Sequence, residues 1–164
     1  MTLRFQVSDL FRPPGQTRPE SATAPMTIEL ADARVDGDVT VEAILRSLSD
    51  GIIARGTATT TATITCNRCT TSWSEPFEVR FEGVFRLQPD DEEDEFPVEA
   101  GGWIDLEPLV HDEVALGLPM TPFCRADCRG LCPTCGTDLN TNPCGGHDDV
   151  SDSPFAALRQ LFDT

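Results

Sequence analysis

"VTVEAILRSLSDGIIARGTATTTATITC", residues Val39 to Cys66, is two runs rich in β-branched residues on either side of Ser49-Asp50-Gly51. Val, Ile and Thr suit a pleated, half-buried surface, and Asp-Gly supplies the turn that reverses the chain. The stretch therefore reads as a β-hairpin. Pro76 to Leu87, "PFEVRFEGVFRL", adds a further strand, in which Phe77, Val79 and Phe81 alternate with Glu78, Arg80 and Glu82. A period of two sends the apolar set to one face and the charged set to the other. These strands imply an antiparallel sheet.

On the N-terminal side, "RPPGQTRPESATAP" (Arg12 to Pro25) reads as a polar, proline-containing lead-in. On the C-terminal side, "PDDEEDEFPVEAGG" carries six consecutive acids, Asp90 to Glu95, which cannot pack a core and predict a mobile loop. "WIDLEPLVHDEVALGLP" follows, with Asp105 placed to cap a helix and Leu106, Leu109, Val110, Val114 and Gly117 near one face; Pro119 stops it. In "SPFAALRQLF", Ser153 caps, Pro154 suits a first turn, and Phe155, Leu158, Leu161 and Phe162 form a packing stripe. The expectation is one α+β domain over residues 1–164, an antiparallel β-sheet with a few short helices and a C-terminal Cys-rich zinc-binding segment. Its parts are 1–89, mainly β; 90–102, the acidic loop; 103–120, a helix; 121–147, the Cys-rich segment; and 153–163, a C-terminal helix.

The net charge is −16, from 28 acids and 12 basic residues, all arginine. The acidity is concentrated in residues 90–164, which have only three arginines: Arg125, Arg129 and Arg159. That half repels a phosphate backbone, so a basic protein suits it better than free duplex nucleic acid. Acidity that simply aids solubility is the other reading. The start, "MTLRFQVSDLFRPPG", has no apolar run of signal-peptide length, and no eighteen uncharged apolar residues follow one another. Cytoplasmic location is the expectation, with no membrane and no small-molecule substrate. A reducing compartment and an odd count of seven cysteines argue against a disulfide framework and towards metal.

"CRADCRGLCPTCGTDLN", Cys124 to Asn140, has four cysteines in its first twelve residues. In Cys132-Pro133-Thr134-Cys135-Gly136, two residues between thiolates bring both sulfurs to one ion. The glycine allows the positive φ that turns backbone N–H groups towards sulfur. Cys124 and Cys128, with three residues between them, complete a closed tetrahedral set for Zn2+, and a closed set is structural. Cys144 and His147 in "CGGHDD" are alternates for the upstream pair, while a solvated His147 is the ordinary reading; His111, beside Asp112 and Glu113, reads as an exposed histidine.

Cys66-Asn67-Arg68-Cys69 is a further pair, between two strands. A redox Cys-x-x-Cys normally opens a helix that lowers the nucleophile's pKa, and this one does not. It either holds a second zinc, since seven cysteines and His147 supply eight ligands, or plays a metal-free part in the strand connection. No phosphate-cradling Gly loop, Ser/His/Asp arrangement or paired-carboxylate pocket is identifiable, so no enzyme is expected.

The chain resembles the YceD family, the large ribosomal RNA subunit accumulation proteins, over about Phe5 to Leu161. The resemblance rests on "FQVSDLFRPPG", "CNRC", "IDLEPLVHDEVALGLPM", "CRADCRGLCPTCGTDLN" and "PFAALRQL". Thr70 stands where the family often has Leu, and the "CGGH" spacing also departs from many relatives. The resemblance implies a cytoplasmic ribosome biogenesis factor supporting large-subunit rRNA, with a large-subunit ribosomal protein or pre-ribosomal particle as partner. It leaves direct rRNA contact open. Together with the residues, it suggests a zinc-stabilised adaptor; a thiol oxidoreductase using Cys66 and Cys69, or a zinc-containing nucleic-acid-binding regulator, are the alternatives.

Overall fold

The computed structural model describes residues 2–11, 15–89 and 95–147. In chain order these form β1 (Arg4–Gln6), a 3-10 turn (Ser8–Phe11), β2 (Thr17–Glu29), β3 (Ala33–Ser47), β4 (Gly51–Thr65), β5 (Ser72–Arg86), β6 (Glu95–Pro97), β7 (Trp103–Asp105) and α1 (Glu107–Gly117). Five strands build the main sheet in the order β2-β3-β4-β5-β6, and β1 pairs with β7 in a second, two-stranded sheet.

Alternation decides which face is inner. Val39, Val41, Ala43 and Leu45 are buried on β3, as are Ala54, Ala58, Ala62 and Ile64 on β4, while Arg55, Thr59 and Thr61 are exposed between them. The expected hairpin closes at Leu48, whose N–H donates to the carbonyl of Gly51 at 2.8 Å. Strands β2 to β5 are antiparallel throughout, with a register shift in β3 between Val35 and Thr40. β6 alone runs parallel to its neighbour β5, Phe96 opposite Phe85. Their rings stack with centroids 5.2 Å apart.

Three expectations change at this level. The lead-in before Pro25 is mostly strand: β2 begins at Thr17 and accommodates Pro19 and Pro25 because it is the edge of the sheet. The acidic segment supplies β6 from Glu95 onward, with Arg86 Nε 2.7 Å from the Glu95 carboxylate. The helix is shorter than 103–120, since Trp103–Asp105 pairs with β1 as a strand. The C-terminal helix expected over 153–163 lies outside the described residues.

α1 covers the inner face of β5. Leu106, Val110 and Val114 are fully buried, each such side chain contributing about 1.5–3 kcal/mol. Asp105 does not occupy the expected cap position: Leu106 is the N-cap and makes no side-chain cap bond, while the Asp105 carboxylate, one residue earlier, accepts the N–H of Glu107 at 2.9 Å. Gly83 lets the helix close on the strand, for a Cβ there would lie 2.5 Å from Leu109 Cδ2. At the other end of the helix, Gly117 sits against Phe77 and Val79. From Leu118 the chain crosses to the tip of the β4–β5 hairpin, where Asn67 donates its N–H to the Pro122 carbonyl at 2.9 Å.

Candidate metal centres

The β4–β5 hairpin ends in a knuckle. Cys66 N–H donates to the Thr71 carbonyl, Thr70 N–H donates to the Cys66 carbonyl, and the Arg68 amide points at Cys66 Sγ from 3.4 Å. Opposite it lie Cys124 and Cys128. The Cys66 and Cys128 sulfurs are 3.9 Å apart and those of Cys69 and Cys124 are 3.6 Å apart. Arg68 fastens the two pieces, its Nη1 donating to the Cys128 carbonyl at 3.0 Å and its guanidinium lying 4.4 Å over the Phe123 ring.

A second knuckle, Cys132 to Gly136, repeats the first. Gly136 N–H donates to the Cys132 carbonyl at 2.9 Å from φ +72°. Cys144 Sγ lies 3.7 Å from Cys132 Sγ, 3.9 Å from Cys135 Sγ and 2.9 Å from His147 Nε2. Within each group, Cys66, Cys69, Cys124 and Cys128 or Cys132, Cys135, Cys144 and His147, the ligand atoms all lie within 4.8 Å of one another. A tetrahedron with Zn–S bonds of about 2.3 Å has sulfur-to-sulfur edges of about 3.8 Å, so these residues fit a four-coordinate ion.

The quartet expected from spacing, Cys124, Cys128, Cys132 and Cys135, is therefore divided between two groups. Gly130 and Leu131 explain the division: the Leu131 amide is tied to the Arg68 carbonyl at 3.0 Å, and the Leu139 amide to that of Gly130 at 2.9 Å. These bonds direct Cys128 towards the hairpin and Cys132 towards Cys144. Cys66, Cys69, Cys144 and His147, the alternates, are the residues the structure brings in. His111 stays exposed on α1, its Nδ1 3.2 Å from Asp112.

The two groups differ in access. In the hairpin group Cys66, Cys69 and Cys128 are buried and Cys124 is exposed, whereas in the outer group only Cys132 is buried and Cys135 and His147 face solvent. Burial pushes the Cys66 thiol up, but N–H groups of Cys124, Arg68 and Cys69 outweigh it and bring it to about 6. Local burial and the surrounding sulfurs of Cys69, Cys128 and Cys66 push Cys124 up to about 12. The hydroxyl and N–H of Thr137 hold Cys135 down at about 6. Each group thus contains a thiolate stabilised by protein dipoles, beside thiols that a cation would help to deprotonate.

Asn140 is a structural residue that spacing did not expose. Its Oδ1 accepts from the Arg129 N–H and from Arg125 Nη2, both at 2.8 Å, while its Nδ2 donates to Asp138 at 2.7 Å and lies 3.5 Å from Cys128 Sγ. One amide thereby braces the turn between the two centres. Only its place at the end of the cysteine segment could have drawn attention to it.

The sequence model of the family described as large ribosomal RNA subunit accumulation protein YceD matches residues 54–162, which contain both centres. The chain belongs to the YceD family. An uncharacterized protein of Mycobacterium leprae is 30% identical over 167 residues, covering 96% of this YceD chain and 76% of that protein. An uncharacterized protein of Mycobacterium tuberculosis is 35% identical over 136 residues, 79% of this chain and 63% of its own length. The chloroplastic large ribosomal RNA subunit accumulation protein YCED homolog 1 of Arabidopsis thaliana is 27% identical over 143 residues, 68% of this chain and 43% of that one. No solved structure matches this YceD chain. Among the described residues no helix is long and apolar enough to cross a membrane.

Proposed function

We propose that this YceD-family chain supports large-subunit rRNA accumulation in the cytoplasm as a non-catalytic adaptor, stabilised by two zinc ions. Its partner is a basic large-subunit ribosomal protein, free or on a pre-ribosomal particle. The observation that carries the reading is the closure of both tetrads: four protein ligands each leave no coordination position for a substrate or an activated water. The net charge of −16 supports a basic partner over naked RNA, since each phosphate approached adds repulsion. The Cys3His set supports zinc over iron at the outer centre, and the tetrahedral edges at both centres are compatible with it.

The oxidoreductase alternative has one supporting feature, the lowered pKa of both Cys66 and Cys69, but both thiols are buried within their tetrad. The test is to titrate the zinc-loaded protein with purified basic large-subunit proteins, one at a time, and with precursor rRNA fragments at several salt concentrations. A ribosomal protein that binds in place of RNA supports the adaptor. Tight RNA binding that falls steeply with salt, with no ribosomal protein bound, would replace it with an RNA-binding mechanism.

A further inference from the structure

The main sheet has two edges, and they are finished differently. In an antiparallel ladder, residues alternate between hydrogen-bonding the neighbour strand and directing their N–H and C=O to the other side. Leu30 N–H bonds the Ala33 carbonyl and Ser47 N–H bonds the Gln16 carbonyl, which fixes the phase of the β2–β3 ladder. Pro19, opposite Ile44, and Pro25, opposite Asp38, therefore point their nitrogens out from the free edge of β2. Two residues on that edge have no donor, so the edge is guarded against an added strand.

β5 is finished otherwise. Cys66 N–H bonds the Thr71 carbonyl, so in the β4–β5 register Pro76, Glu78, Arg80 and Glu82 direct their main-chain groups away from β4. β6 takes up the edge at Val84–Arg86, and Pro76 closes its far end. Between them, among the described residues, Glu78, Arg80 and Glu82 have no strand partner on that side, although all three side chains are exposed. Beside this gap stands the end of α1. Gly117 rests on Phe77 and Val79, and its neighbours Leu116 and Met120 are 82% and 86% exposed. Large apolar side chains that open to water next to an unpaired edge mark a contact surface.

Charge identifies the occupant. Glu75, Glu78 and Glu82 on β5 line the gap, against Arg80 and, opposite Glu82 on β4, Arg55, and the chain as a whole carries a net charge of −16. We propose that the open edge of β5 at Glu78–Glu82 accepts an extended segment of another protein as an added strand. That segment alternates basic with apolar residues, its basic side chains meeting Glu78 and Glu82 and its apolar ones lying towards Val79, Phe77 and Leu116. This rests on the adaptor reading and names the surface by which a basic ribosomal protein is held. Main-chain hydrogen bonds supply affinity and alternate side chains supply selection. A second copy of this chain is a poorer fit, because each copy brings the same excess of acid.

The probe is an acetylated, amidated octapeptide alternating lysine and valine, added to isotope-labelled, zinc-loaded protein at fixed ionic strength. The expected result is slowed amide exchange at Glu78, Arg80 and Glu82, with Ser21 and Thr23 on β2 unchanged. Two analogues, N-methylated on every lysine or on every valine, keep charge and side chains but lose one row of N–H groups. One of the two is expected to bind at least tenfold more weakly than the other, and equal binding of all three peptides would overturn the edge. Arg80→Pro, at a position that does not bond β4, is expected to weaken the parent peptide by a similar factor. Protection of the β5 amides by protein concentration alone, without peptide, would assign the edge to a second copy and overturn the proposal. A ribosomal protein that binds wild type and Arg80→Pro equally would sink the edge while leaving the adaptor standing. Peptide binding at the edge that no large-subunit protein competes away would keep the edge and sink the ribosomal partner.

Discussion

Thr70 donates its N–H to the carbonyl of Cys66 at 2.9 Å from a left-handed backbone, φ +57°. Gly136 makes the equivalent bond to Cys132 in the second knuckle from φ +72°. The two turns do the same work with different residues, and only one suits it. A β-branched side chain in the left-handed region costs about 1–2 kcal/mol, which glycine avoids at the expense of greater unfolded-state entropy. Thr70→Gly is therefore expected to stabilise the metal-loaded protein by about 0.5–1 kcal/mol, read as a shift in the urea midpoint without a change of slope. A loss of stability would show that the Thr70 side chain supplies contacts that outweigh its strain.

Two tetrads predict two ions, independently lost. Metal analysis of protein prepared without chelators is expected to find two zinc per chain. Cys124→Ser should remove the ion of the hairpin centre and Cys144→Ser that of the outer one, each leaving one zinc bound. A single zinc in the wild type that disappears with Cys132→Ser but survives both Cys66→Ser and Cys144→Ser would restore the sequential quartet of Cys124 to Cys135.

That sequential quartet shows where reading the chain stopped. The hairpin around Asp50-Gly51 and the buried face of α1 were legible because their signals are local: a turn, a period of two, and apolar residues that recur each helical turn. The outer group is local, Cys132 to His147, but the hairpin group is not. Cys69 meets Cys124 across 55 positions and Cys66 meets Cys128 across 62, and no spacing rule encodes which distant knuckle a pair will face. β2 was obscured for another reason. Pro19 and Pro25 read as strand breakers until the sheet edge supplies a side on which a missing N–H costs nothing.

Immediately after chelation, before the outer segment opens, the reactive thiol is expected to be Cys135. It is exposed, and Thr137 lowers it to about 6, so the thiolate dominates at pH 7. Its folded pKa lies below the ordinary value of 9.0. The stabilisation it supplies is thus present in full above that ordinary value and is lost as pH falls through about 6. Cys124 is also exposed, but with its thiol near 12 it stays protonated. Iodoacetamide at pH 7 followed by peptide mass mapping should label Cys135 well ahead of Cys124, with the Cys135 rate falling by half near pH 6. Labelling of Cys124 first would contradict the arrangement of dipoles around the two sulfurs.

Asn140 tests whether the segment between the centres is a built structure. Asn140→Ala removes two acceptor contacts, to Arg129 and Arg125, and the donor to Asp138, leaving the Arg129 N–H without its partner. The bonds to Arg125 and Arg129 lie at the surface, where water replaces a lost partner, so the cost is about 0.5–1.5 kcal/mol. The expected reading is a lower denaturant midpoint and faster zinc transfer to a chromophoric chelator, with metal content at the start unchanged. Transfer at the wild-type rate would mean that the amide braces nothing the metal depends on.

Chelation should separate the molecule into two regions of different fate. Cys66, Cys69 and Cys128 form a small apolar cluster with Leu131 and Trp73, and Trp73 alone of these also packs against the large core that runs from Leu3 to Leu118. The segment from Cys124 to His147 contains no helix or strand longer than a single bridge, Leu131 with Asp138, so little beyond the ligands holds it. Binding free energies of about 10 kcal/mol for structural zinc far exceed what these turns supply. Removal of metal is therefore expected to release the amides of Cys128, Leu131, Cys132, Gly136 and Leu139 to rapid hydrogen exchange. Val41, Ala58 and Phe85, inside the sheet, should remain protected, because their stability rests on packed side chains and ladder bonds rather than on the ion. Hydrogen exchange with mass spectrometry before and after chelation measures both sets at once. Uniform loss of protection across β3, β4 and β5 would show that the hairpin centre holds the whole sheet together and that no part of the fold stands without metal.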